Sequence, residues 1–204
     1  MKNVGFQFLL LIILAPLPRC HGQAKNNQDS NDRLSQAAFR DLAARCTPNI
    51  PLTTLRAIVR AESGFRPYAL SLDYPQRTAR EQGLADGQIL LARQPKTLAE
   101  ARIWAEWFLK HRRSVSVGLA QISTQHSASL GLTVDDLFDP CRNLQAAARL
   151  LTTKYREAAA NLGEGQAALR RALSEYNSGS SLIGFENGYV ADVVDGEFRP
   201  RQMH

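Results

Sequence analysis

Ala57-Ile58-Val59-Arg60-Ala61-Glu62-Ser63-Gly64-Phe65-Arg66-Pro67-Tyr68-Ala69-Leu70-Ser71 reads as the end of a helix followed by a turn, with one carboxylate at the junction. Leu55, Ile58, Val59 and Glu62 fall at i, i+3, i+4 and i+7, so they share one helical face. Three are apolar and the fourth is a glutamate. An ionised carboxylate on an apolar face is costly unless it is paired, solvated through a cleft or protonated. Gly64 is a natural helix cap and Pro67 forbids continuation, so the helix stops just after Glu62. A carboxylate in a last turn also meets the negative end of the helix dipole. Both effects favour the neutral acid, which a general acid near neutral pH requires. At this point two readings of Glu62 stand side by side: a general acid, or a partly exposed glutamate reaching solvent from a helix end.

Working outward, 204 residues make one or at most two domains. Lys2, the short apolar run Phe6 to Leu14, the breakers Pro16 and Pro18, and Gly22-Gln23-Ala24 have the form of a secretory signal peptide cut after Ala24. Pro18 and Arg19 stand where a lipoprotein cut before Cys20 needs small residues. Segment 1–24 holds two of the cations and no acid, so the net charge of +6 becomes +4 in the mature chain. That mild bias is compatible with an anionic wall polymer or membrane surface, and equally with nothing specific. No basic run interleaved with aromatics supports nucleic-acid binding. The histidines 21, 111, 126 and 204 are scattered and suggest no metal site.

Loss of Cys20 leaves Cys46 and Cys141, and two cysteines in an exported chain suggest one disulfide. Such a bond closes a long loop, worth about 4–5 kcal/mol in the chain-entropy picture.

Residues 25–32 are a polar tail. Helices are expected from about Leu34 to Arg45, into Glu62, from Thr97 to about His111, from Pro140 to about Leu162, over Gln166 to Tyr176, and shortly around Tyr189 to Val194. Thr97-Leu98-Ala99-Glu100 has the form of a capping box, and Asp139-Pro140 that of an N-cap with a first-turn proline. Leu98, Ile103, Trp104, Trp107 and Phe108 form an apolar set. Core packing is the commoner fate of such aromatics, with sugar stacking as the other reading. Residues 66–95 are irregular, with Asp73 and Tyr74 in a turn, a short strand near Gln88 to Leu91 and at most a small hairpin. Asp135 to Asp139 reads as loop, and no series of strands is expected. The mature chain contains no membrane-spanning run.

Three fragments carry the chemistry: Glu62-Ser63-Gly64-Phe65 with Pro67, Ala69 and Ser71; Gly118-Leu119-Ala120-Gln121-Ile122; and Tyr176-Asn177-Ser178-Gly179. In this order they resemble the catalytic domain of soluble lytic transglycosylases, over roughly Cys46 to Val194. Cys46, the insert around Leu91-Ala92-Arg93-Gln94-Pro95, and Leu137-Phe138-Asp139-Pro140-Cys141 with Asn143-Leu144 are most similar to the small exported members that accompany type IV secretion and conjugation machines.

The resemblance implies a mainly α fold of the goose-type lysozyme-like kind: one helical domain with a small irregular or β-hairpin region lining a sugar cleft. It places the catalytic domain at 46–196, after the signal peptide at 1–24 and the polar tail and N-terminal helix at 25–45 read above, and before a tail at 197–204. It makes Glu62 the single acid/base and places Ser71 beside the substrate. Gln121 then lines the sugar cleft, the Tyr176 hydroxyl contacts the catalytic carboxyl, and Asn177 supports that turn. The family pattern has methionine where Ala120 stands, which removes an apolar wall contact.

The implied activity is cleavage of peptidoglycan glycan strands in the periplasm to 1,6-anhydromuramoyl ends, without cofactor or metal. The implied partners are components of a secretion or conjugation apparatus. The residues also admit blander roles: Ser71 as a turn cap, Gln121 as partner of buried backbone groups, and Tyr176 as packing. A hydrolytic muramidase using Asp73 with Glu62, and a non-catalytic wall-binding assembly factor, are the alternatives.

Overall fold

The computed structural model describes residues 32–73, 88–91 and 93–195. The expected signal peptide, most of the polar tail, Tyr74 with the glycines and proline that follow it, and the C-terminal tail lie outside them.

Helix α1 (Gln36–Cys46) opens on Ser35, whose hydroxyl accepts from the Ala38 amide. It buries Phe39, Ala43 and Cys46. Cys46 is bonded to Cys141, 95 residues on, with the Cα atoms 5.4 Å apart. Helix α2 (Leu52–Ser63) carries the apolar face described above. Leu55 and Val59 enter the main core, while Ile58 enters a second cluster with Leu151, Leu173, Tyr189, Val190 and Val193. The helix that bears Glu62 is thus gripped by two apolar clusters, which fixes its rotation about its own axis.

Strands β1 (Leu70–Asp73), β2 (Gln88–Leu90), β3 (Val115–Val117) and β4 (Ile122–Ser123) form one antiparallel sheet in the order β2-β1-β3-β4. The β1–β2 pairing agrees with the small hairpin expected in 66–95. Strands β3 and β4 were not expected, and Asp73 closes β1 rather than sitting in a turn. Runs of two or three residues are too short to display an alternation. The register pairs Ser71 with Ser116 and Ser116 with Ser123, so one face of the sheet is polar. Leu70, Val117 and Ile122 are buried on the other face.

Helix α3 (Leu98–Lys110) starts at Thr97, whose hydroxyl accepts from the Glu100 amide. Glu100 reaches back to the amide of Lys96 rather than Thr97. Its carboxyl lies below its ordinary range, because Arg93 hydrogen-bonds it and the Lys96 amide adds to that.

Of the expected apolar set of α3, Leu98, Trp104 and Phe108 pack against the main core, whereas Ile103 and Trp107 do not. Ala101 and Ala105 are its buried residues. Trp104 is half-buried under the Arg93 guanidinium, 4.6 Å from its ring centre, whereas Ile103 and Trp107 are 65% and 56% exposed.

A 3₁₀ turn (Thr124–His126) and two short helices, α4 (Ser127–Leu130) and α5 (Val134–Phe138), follow. Helix α5 replaces the loop expected at Asp135 to Asp139. Thr133 and Asp136 form a reciprocal capping box that stabilises a single turn.

Helix α6 (Pro140–Leu162) has the expected bounds, with the Asp139 carboxylate accepting from the Arg142 amide. Helix α7 (Gln166–Ser178) runs two residues past Tyr176 and ends on left-handed Gly179. Short helices α8 (Ile183–Glu186) and α9 (Tyr189–Val194) complete the described chain. No helix among the described residues is long and apolar enough to cross a membrane.

Candidate active site

Glu62 occupies the penultimate position of α2 and is partly buried. Gly64 caps the helix in the left-handed conformation, at φ 58°, and Phe65 follows at φ 69°. Two successive residues of positive φ turn the chain sharply back into β1, which brings Ser71 to the polar face of the sheet. The Ser71 hydroxyl donates to Gln121 Oε1 at 2.7 Å, and both side chains are buried. Gln121 Nε2 donates to the carbonyls of Ala69 (3.1 Å) and Gly118 (3.0 Å). Gln121 therefore satisfies buried backbone and joins β1 to the turn before β4.

Tyr176 reaches this turn from α7, packing against both apolar clusters. Its hydroxyl donates to the Ala120 carbonyl at 2.8 Å. Burial and, after it, the charge of Glu62 hold the phenol well above its ordinary pKa. Tyr176 thus remains a neutral donor at physiological pH, with its proton directed at a main-chain oxygen. Asn177 faces the other way: its Oδ1 accepts from Asn187 Nδ2 at 2.9 Å, and Asn187 Oδ1 accepts from the Tyr189 amide. That chain ties the end of α7 to the start of α9.

The structure therefore interlocks fragments separated by 50 to 56 residues. Ser71, Gln121 and Tyr176 meet around one turn. Glu62 lies within electrostatic reach of Tyr176, and Asn177 stands behind them as a structural tie.

A family model described as the Transglycosylase SLT domain matches residues 42–195. The chain belongs to this family. The SLT domain is similar to the Protein virB1 of Rhizobium radiobacter, with 35% identity over 160 residues, covering 78% of this chain and 61% of the relative. Protein virB1 of Agrobacterium fabrum is 37% identical over 162 residues, covering 78% and 59%. The Type IV secretion system protein virB1 of Brucella abortus is 35% identical over 162 residues, covering 76% and 62%. The chain thus spans about three fifths of the length of these relatives. No solved structure matches it.

Two features of this SLT domain were not among the expected site residues. Asn143 on α6 is fully buried and organises the turn. Its Nδ2 donates to the carbonyls of Val117 (2.9 Å) and Leu137 (2.8 Å), and its Oδ1 accepts from the Ala120 amide (2.8 Å). Gly118 is required beside it: a Cβ there would lie 2.3 Å from Asn143 Nδ2 and 2.8 Å from the Leu137 carbonyl, on a backbone at φ 82°. The sequence signals were Asn143-Leu144, part of the family likeness quoted above, and the glycine ahead of the short apolar run Leu119 to Ile122, which suggests close backbone approach or a cap.

The second feature is the polar face of the sheet. The Ser116 hydroxyl donates to Asp73 Oδ1 at 2.6 Å, and the Ser123 hydroxyl donates to Asp73 Oδ2. Asp73 is thereby fastened across three strands.

Proposed function

We propose that this SLT domain is a peptidoglycan lytic transglycosylase with Glu62 as its single acid/base. The observation that carries the reading is the network joining Ser71, Gln121, Ala120 and Tyr176, with Glu62 close enough to act on the phenol. In the proposed reaction the Glu62 carboxyl protonates the oxygen linking N-acetylmuramic acid to N-acetylglucosamine, and the C1–O bond breaks. Positive charge develops at the anomeric carbon. The Glu62 carboxylate then takes the proton of the C6 hydroxyl of the same muramoyl sugar, whose oxygen bonds to C1. A 1,6-anhydromuramoyl end results, Glu62 regains its proton and no water is consumed. Proton transfer by a positioned carboxyl contributes about 10²–10⁴-fold, and holding the C6 hydroxyl in place adds to it.

In this proposal Ser71 and Gln121 shape the floor on which the sugar lies, Tyr176 fixes the Ala120 main chain beside Glu62, and Asn177 braces α7 behind it. Glycosidases that use water employ a second carboxylate as base or nucleophile. Asp73 is the residue to weigh for that role. Both of its oxygens already accept serine hydroxyls, which supports a structural role and favours the anhydro-forming reaction over hydrolysis.

Digestion of purified sacculi followed by mass spectrometry is the direct test. Anhydromuropeptides are expected, and reducing muramic ends would assign a muramidase instead. Glu62→Gln should lower the rate by at least about 10²-fold. Activity that survives this change would remove Glu62 from its role.

The name of the Brucella abortus relative refers to type IV secretion. We extend that to a wall-opening enzyme acting in the periplasm for a secretion or conjugation apparatus. Export of a full-length fusion, lost on deletion of residues 1–24, tests the location.

A further inference from the structure

Glu62 occupies one side of α2, and the opposite side borders a separate cleft. With about 100° of rotation per residue, Arg60 and Glu62 lie roughly 200° apart around the helix, and Ala57 and Arg56 flank Arg60. Arg56, Ala57 and Arg60 line a cleft of about 520 Å³ together with Leu169 and Leu173 of α7 and Val193 of α9. This size lies within the range of small-ligand pockets.

The charges in the cleft are unbalanced. Arg60 donates from Nη2 to the Asp192 carbonyl at 3.0 Å, while its Nε is buried and meets no partner among the described residues. Arg56 makes no ion pair among the described residues. Asp195, the carboxylate that lines the cleft, is held by Arg170 at 3.4 Å. That Nε is closed to the cleft, so Arg60 acts there through the rest of its guanidinium, beside the exposed Arg56. Two arginines one helical turn apart, with Leu169 and Val193 set among polar Gln36, Thr53, Thr54 and Gln166, match a ligand that combines carboxylates with peptide groups and small apolar side chains.

We propose that this cleft is a second binding site, for the peptide stem of peptidoglycan. This rests on the wall-lytic reading above. Stem peptides are short, rich in alanine methyl groups and bear several free carboxylates, which is the chemistry the cleft lacks. A site on the far side of α2 holds a neighbouring stem while the glycan occupies the Glu62 side, so the two ligands do not compete. The chain's own segment 196–204 is a poorer occupant, because it brings Arg199 and Arg201 towards Arg56 and Arg60.

The probe is the free stem tetrapeptide cut from peptidoglycan by an amidase, titrated calorimetrically into the full mature protein. Saturable binding is expected, weakening as salt rises. Arg56 is exposed, so Arg56→Glu should fold normally, as a thermal melt checks, and bind the peptide at least tenfold more weakly. Glu62→Gln and added peptide-free glycan should leave peptide binding unchanged.

Absent binding, equal binding by Arg56→Glu, or displacement by the glycan would each overturn the site. Tighter binding of an acidic L-peptide of alternating Glu and Ala would assign it to a protein segment. A tenfold gain on truncation after Asp195 would assign it to the chain's own tail. Anhydromuropeptide release by the same preparation is measured in parallel, so failure of the wall-lytic reading is distinguished from failure of the second site.

Discussion

The turn at Gly118–Gln121 and helix α3 are neighbours in sequence, yet they are held by different forces. In the turn, polar groups find buried partners: Asn143 takes the Ala120 amide, Tyr176 takes the Ala120 carbonyl, and Gln121 bonds Ala69 and Gly118. A single arrangement satisfies all of them, and each unmade bond would carry a desolvation cost. Helix α3 is instead held by apolar contact alone, through Ala101 and Ala105 with Leu98, Trp104 and Phe108 packed partly buried against the main core, while Ile103 and Trp107 stay at the surface. Directional bonds in a dry interior specify a position, whereas apolar surface specifies only a tendency. A catalytic carboxyl needs the first kind of support nearby, because small displacements of reacting groups are expensive.

Substitutions in the two regions should differ accordingly. The largest effect is expected at Gly118. Gly118→Ala places a methyl against Asn143 and the Leu137 carbonyl on a left-handed backbone, and should cost about 3 kcal/mol or more in urea unfolding. A change below about 1 kcal/mol would mean that the turn yields easily, and the contrast with α3 would collapse.

Tyr176→Phe comes next. It removes the bond to Ala120 and should cost about 1–2 kcal/mol. Its pH dependence sharpens the point. A phenol whose folded pKa is raised contributes stability that is fully present below the unfolded value and is lost as pH rises towards the folded one. Wild-type stability should therefore fall as pH rises above about 10, and the fall should be smaller in Tyr176→Phe. Equal slopes in the two proteins would place the alkaline loss elsewhere.

The smallest effect belongs to α3. Trp107→Ala should change stability by no more than about 0.5 kcal/mol, as exposed positions do. A larger loss would show that this surface is covered in solution.

Helix α6 was legible to its ends, because Asp139-Pro140 marks its start and Gly163 its stop. The end of α2 was equally plain, since Gly64 and Pro67 act through local backbone geometry. Strands β3 and β4 were hidden, for a pair of residues has no period of its own and is a strand only because β1 lies beside it. Within the apolar set of α3, Ile103 and Trp107 misled for a related reason. Periodicity shows which residues share a face, but not whether another element arrives to cover it.

The candidate site divides along the same line. Glu62 on a greasy helix face, Ser71 nine residues on, Gln121 and Tyr176 were all visible as residues of the right kind in the right order. Their partnerships were not. Gln121 can be read in sequence as a partner of buried backbone groups, but not as the link from Ala69 to Gly118; like that link, Asn143 holding the turn and Asp73 fastened by two serines join segments far apart in the chain. The sequence by itself determined where α2 ends, where α6 begins and ends, and which carboxyl sits at a helix terminus, because caps, prolines and side-chain spacing act within a few residues. Only the tertiary structure decided which polar groups meet and which aromatics stay outside. Those outcomes depend on burial, which no local stretch of chain contains.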